Sequence, residues 1–79
     1  MSMTVTEAIT TTVTLGETVK DLRLKLGLSR EELADRAGTS YSYIANIETG
    51  LRTPHLAMLI DIASGLGLRA STLLSLANL

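Results

Sequence analysis

Four glycines cut most of this chain into short segments whose apolar residues recur at helical spacing. Gly27, Gly38, Gly50 and Gly67 each follow such a segment. Glycine just past a helix accepts the left-handed conformation that closes the last turn. Start signals stand at the other ends. Thr14 with Glu17, and Ser29 with Glu32, have the spacing of capping boxes. Leu28 and Leu33 flank the second box as a hydrophobic staple. Thr53 followed by Pro54 marks a further start, because proline fits the first helical position.

Between these marks the period is that of a helix. Leu15, Val19, Leu22 and Leu26 form one stripe; Leu33, Ala34 and Ala37 the next; then Ile44 with Ile47. Leu56, Leu59, Ile60, Ala63 and Leu66 form a fourth, and Leu68, Leu73, Leu74 and Leu76 belong to a short fifth helix. No segment after residue 14 alternates as a strand would. The expectation is an all-α, five-helix domain over residues 14–79. Residues 1–13 are rich in Thr, Val and Ile, which favour extended structure, yet a lone strand has no partner here. They are expected to be an N-terminal extension, either a flexible tail or an arm docked on the body or on a second subunit.

Seventy-nine residues hold one domain, and 46% hydrophobic content is too high for a disordered chain. With no cysteine and one histidine, neither a disulfide framework nor a zinc centre is expected. No cofactor is implied. No apolar run reaches membrane-spanning length and no signal peptide is recognisable, so a cytoplasmic protein is expected. Catalysis finds no second histidine, thiol or carboxylate pair to rest on, and no enzyme is predicted. The net charge of −1 gives no support to a nucleic-acid partner. Its distribution is more permissive. Residues 1–19 carry Glu7 and Glu17, whereas residues 20–53 hold six basic against five acidic groups.

The stretch from Ser29 to Gly50, "SREELADRAGTSYSYIANIETG", places two short helices on either side of Gly38. Ala34 is small where the helices must approach, Gly38 supplies the turn, and Ile44 and Ile47 tie the second helix to the core. That is the arrangement of a helix-turn-helix. The segments "LGETVKDLRLKLGLSREELADRAG" and "YIANIETGLRTPHLAMLIDIASGLGL" resemble the Cro/C1-type (Xre-like) helix-turn-helix family from about Leu15 to Leu76. The resemblance implies a lambda-repressor-like fold, with the helix-turn-helix in the second and third helices. It also implies a sequence-specific DNA-binding transcriptional regulator, dimeric as family members usually are.

The third helix can be read from its residues. At about 100° per residue, Ile44 and Ile47 set its buried direction. Ser42, Ala45, Asn46 and Thr49 point away from it, with Tyr41 and Tyr43 on opposite flanks. A solvated face would be rich in Lys, Glu and Arg; this one is small, polar and nearly uncharged. Asn46 can pair bidentately with adenine, Ser42 can donate or accept, and Ala45 can meet a thymine methyl. Tyr41, Ser42, Ala45 and Asn46 are the expected base-contacting residues. Arg30, in the first turn of the second helix where many family members carry Gln, is a phosphate or base candidate. Ser40, Tyr43, Thr49, Arg52 and Thr53 complete the expected phosphate set.

By resemblance, Arg23 and Glu48 form a structural ion pair between the first and third helices. His55 reads as ordinary surface. The leucine-rich end is expected to carry a homodimer interface through Leu66, Leu68, Leu73 and Leu76, with the N-terminal arm over Leu24. The partners expected are a double-stranded DNA operator with inverted-repeat symmetry and a second copy, with RNA polymerase as a further contact. The competing reading is a protein-interaction module, such as an antitoxin whose Tyr-bearing helix binds a toxin.

Overall fold

A computed structural model describes residues 4–79 as five α-helices. They are α1 (Val5–Lys25), α2 (Arg30–Ala37), α3 (Tyr41–Glu48), α4 (Leu56–Gly65) and α5 (Ala70–Leu76). Gly27, Gly38, Gly50 and Gly67 all adopt positive φ, between 69° and 78°. At Gly38 this left-handed turn reverses the chain between α2 and α3, with the Thr39 N–H bonded to the Ala34 carbonyl at 2.9 Å.

The start of α1 differs from the sequence expectation. No capping box forms at Thr14 and Glu17; the helix is capped at Thr4, whose hydroxyl accepts from the Glu7 N–H at 3.1 Å. Residues 4–13 are therefore the cap and first turns of α1 and not a flexible tail, while residues 1–3 lie outside the described residues. Once the turn near Leu15 is formed, extending a helix costs far less than starting one. Threonine hydroxyls also close back on the helix, Thr12 on the Ala8 carbonyl at 3.0 Å and Thr18 on that of Thr14 at 2.9 Å. Tertiary contacts complete the override. Thr12 shares a 2.6 Å hydrogen bond with Thr53, and Val13 lies against Gly50.

At α2 the expected capping box is present in both directions, Ser29 Oγ accepting from Glu32 and Glu32 Oε1 from Ser29, each at 3.0 Å. The α4 start falls two residues later than Thr53–Pro54 suggests. Thr53 is occupied by Thr12, and His55 is the cap, its Nδ1 accepting from the Met58 N–H at 3.3 Å. Arg69 precedes α5 without a side-chain cap.

Val19, Leu33, Ile44, Ile47, Ile62 and Leu73 are the largest fully buried side chains. Three assignments to the buried stripes need correcting. Leu26, Leu56 and Ile60 are exposed at 52%, 70% and 49%, and Ile62 takes the central place on α4. Almost every residue from Leu56 to Ala63 is apolar, so periodicity could not choose the inner direction. Packing chooses it: Gly65 brings α4 against Leu33 and Arg36 of α2.

The expected dimer set also changes. Leu66 and Leu73 are buried within the protomer, so their side chains are not free to meet a second subunit; Leu68 is half-buried and Leu76 exposed. In a small domain the fifth helix supplies core first, and Leu66, Leu73 and Ala77 join the cluster that Leu33, Ile44, Ile62 and their neighbours form. Leu24 is exposed.

One contact had no sequence expectation. Gly16 is buried on α1 where that helix crosses the end of α3. A Cβ there would collide with the Ile47 carbonyl oxygen and lie 3.0 Å from that of Glu48. Backbone meets backbone at this crossing, and it fixes the tilt of α3.

Candidate nucleic-acid interface

The position of α3 follows from three restraints on its inner side. Ile44 and Ile47 are buried in the core, Gly16 admits α1 at its last turn, and Ser40 caps its start by accepting from the Tyr43 N–H at 3.1 Å. The outer side is open. Tyr41 and Ser42 are exposed at the leading end, and Ala45 and Asn46 are half-exposed further along. All four expected base-contacting residues thus share one accessible face. The Asn46 carbonyl accepts from the N–H groups of Leu51 and Arg52, at 2.9 and 3.1 Å, which folds the following loop onto the helix end.

The phosphate candidates divide into free and committed groups. Arg52 is exposed and lies over the Tyr43 ring, 5.2 Å from its centroid. This cation–π contact holds an otherwise mobile guanidinium beside α3. The Ser40 hydroxyl accepts a backbone N–H and keeps its own proton free to donate. Thr49 is different: its hydroxyl donates to the Ala45 carbonyl at 2.9 Å. Thr53 is hydrogen-bonded to Thr12. Each must break an internal bond before donating outward.

Behind the face lies a charged cluster. Arg23 donates through Nε to Glu48 Oε2 at 2.7 Å, through Nη2 to Oε1 at 3.1 Å, and through Nη1 to the Leu28 carbonyl at 2.8 Å. The side chains of Arg23 and Glu48 are 8% and 0% exposed. Burying such a pair is tolerable only because nearly every polar atom is satisfied. Sequence reasoning missed that Arg30 joins it, donating from Nε to Glu48 Oε1 at 3.0 Å. The partners are 18 residues apart on different helices, so no local pattern signals the bond. The Tyr41 hydroxyl first, and then the Glu48 carboxylate, raise the Arg30 guanidinium above the ordinary arginine pKa. Two guanidiniums against one carboxylate leave this cluster with a surplus positive charge in a chain that is negative overall. The Arg52–Tyr43 stacking was likewise invisible in the sequence, though Tyr followed by Arg across a glycine turn is the only hint available.

Comparison with known proteins agrees with this geometry. Residues 19–73 match the helix-turn-helix family HTH_3. The chain is 34% identical over 61 residues to the immunity repressor protein of Bacillus phage phi105, and 36% identical over 62 residues to the HTH-type transcriptional regulator SinR of Bacillus licheniformis. Each match takes in 77% of this chain but only 42% and 56% of those proteins, so the chain spans about half the length of these relatives. Among solved structures, the restriction-modification controller protein C.AhdI from Aeromonas hydrophila superposes with a TM-score of 0.75 at 33% identity, covering 77% of this chain and 92% of that one. A regulator of the HTH_3 family from Vibrio cholerae gives 0.79 at 31% identity, over 85% of this chain and 38% of that one. These relatives are regulators and not enzymes. A glycine turn between two capped helices, a neutral outward face and a buried Arg–Glu pair thus meet a family match over most of the sequence: the chain belongs to the Cro/C1-type helix-turn-helix family of transcriptional regulators.

Proposed function

We propose that this protein is a sequence-specific double-stranded-DNA-binding regulator that acts in the cytoplasm as a homodimer on an inverted-repeat operator. The observation that carries the reading is the accessible, uncharged face of Tyr41, Ser42, Ala45 and Asn46 on a helix whose inner side is fixed. Neutral side chains with donors and acceptors can pair with base edges, and the cations and hydroxyls around them suit the phosphates. Arg30, Arg52, Ser40 and Tyr43 flank that face and supply the phosphate contacts, with Thr49 and Thr53 joining after their internal bonds open.

The dimer reading is supported by apolar side chains left uncovered on α4 and α5. Leu56, Ile60 and Leu76 are exposed at 70%, 49% and 54%. The N-terminal half of α1 adds Val5 and Ile9, at 78% and 60%, to the surface a second copy could cover. In such a dimer two recognition helices meet half-sites about 34 Å apart, one DNA turn. The name of the C.AhdI relative makes a restriction-modification controller one natural setting, and the phage repressor suggests another.

Selection from random duplexes tests the reading, because it returns sequence, symmetry and spacing together. The expected result is an inverted repeat whose binding is lost in Tyr41→Ala/Asn46→Ala with the fold unchanged. Failure to bind any duplex at low salt would reject it in favour of a protein-interaction module, for which the 48% exposed Tyr41 would be the anchor. A strict monomer at high micromolar concentration would reject the dimer alone.

A further inference from the structure

Arg23 and Arg30 hold the same carboxylate but spend their guanidiniums differently. Arg23 uses all three nitrogens inside the protein. Arg30 engages Glu48 Oε1 through Nε only, with the Tyr41 hydroxyl also beside its guanidinium, and its side chain remains 27% exposed. A guanidinium is a rigid planar fork, so fixing Nε also fixes where the terminal Nη donors point. Arg30 is the first residue of α2, and Glu48 is the last residue of α3. The bond therefore ties the start of one helix to the end of the other. The geometry points to Arg30 as a positioning residue that couples the DNA backbone to the seating of α3, with Nε on Glu48 and its Nη edge on a phosphate.

This inference rests on the DNA-binding reading and adds a division of labour to it. Glu48 would keep its bidentate bond to Arg23 if Arg30 were lost. The fold should therefore survive, while the backbone would no longer register the base-reading face. Lysine retains the charge but offers one compact ammonium, which can serve the carboxylate or the phosphate and not both. Glutamine loses the charge as well.

The test measures Arg30→Lys, Arg30→Gln and the parent on the selected duplex and on an unrelated duplex over a series of salt concentrations. Arg30→Gln should make the logarithmic salt slope shallower by about 0.9, the value for one phosphate contact, and Arg30→Lys should make it shallower by less, because its ammonium is divided between carboxylate and phosphate. Both should reduce discrimination between the duplexes by on the order of tenfold or more, as for a displaced base contact. Parent-like discrimination in Arg30→Lys would overturn the coupling, reducing Arg30 to a charge. An unchanged slope in Arg30→Gln would overturn the phosphate contact.

A second measurement needs neither DNA nor a variant at Arg30. In the free protein the Arg30 Nε–H should be protected from solvent exchange by nuclear magnetic resonance; rapid exchange would overturn the Glu48 anchor. If the parent binds no duplex while this proton is protected, the DNA reading fails, and with it the coupling. The Arg30–Glu48 bond then stands as a purely structural link between α2 and α3.

Discussion

Replacing Gly16 with alanine tests the packing that aims α3. On an exposed helix the change should stabilise, by about 1 kcal/mol, because alanine is the better helix former. Here the added methyl would meet the Ile47 carbonyl oxygen at impossible range, with the Glu48 carbonyl oxygen and carbon at 3.0 and 3.2 Å. All three atoms are backbone and cannot swing aside as a side-chain end would. Relief requires α1 and α3 to part by roughly an ångström, and overpacking of this kind costs about 1–3 kcal/mol or more. Because the clashing atoms are backbone, the cost should reach the upper end, about 3 kcal/mol, leaving a net loss of about 2 kcal/mol after the propensity gain. For a domain of this size each kcal/mol moves the melting temperature by about 4–8 °C, so a fall of about 8–16 °C is expected. Circular dichroism melts of parent and Gly16→Ala measure it. Gly65→Ala provides the graded comparison, because its Cβ would first meet a Leu33 methyl at 3.1 Å and the Arg36 Cβ at 3.2 Å, and should cost less. A Gly16→Ala protein that melts at or above the parent's temperature would refute the close crossing, and with it the stated tilt of α3.

Other consequences follow from the caps and the buried cluster. Arg23→Ala should cost on the order of 3–5 kcal/mol, since the buried Glu48 carboxylate would keep only its bond to Arg30; urea unfolding measures this, and a loss below about 1 kcal/mol would mean the pair is solvated. Glu32 is held below the usual carboxylate range, first by the Ser29 N–H and then by the Ser29 hydroxyl. A depressed pKa contributes stability that is present above the ordinary glutamate value and lost as pH falls through the folded one. Acid melts should therefore show a smaller drop in Glu32→Gln than in the parent, and parallel curves would count against the capping box. His55→Asp should stabilise α4 by about 0.5–1 kcal/mol, because a carboxylate at the N-cap replaces a long imidazole hydrogen bond and faces the positive end of the helix. An unchanged or lower melting temperature would place the cap elsewhere.

Much of the domain is written locally. Ser29 and Glu32 specify the start of α2, and Gly38 specifies its end, because caps and left-handed turns involve residues within five positions of one another. Ile44 and Ile47 likewise orient α3, since a short helix with two isoleucines has one apolar direction. That is why the face of Tyr41, Ser42, Ala45 and Asn46 is legible in the sequence. Elsewhere local signals misled or were absent. Thr14 and Glu17 satisfied the capping pattern, yet the helix runs through them from Val5. Thr53 and Pro54 looked like a helix start, but a hydroxyl 41 residues away claims Thr53.

By itself, then, the sequence determined the number of helices from residue 14 onward, the helix-turn-helix, and which side of α3 is free. These are short-range properties of caps, turns and periodicity. Tertiary structure decided the rest: which side of apolar α4 turns inward, that Leu66 and Leu73 belong to the protomer core, that Gly16 brings two backbones together, and that Arg30 reaches Glu48. Each depends on atoms distant in the chain becoming neighbours, and neither propensity nor spacing encodes that distance.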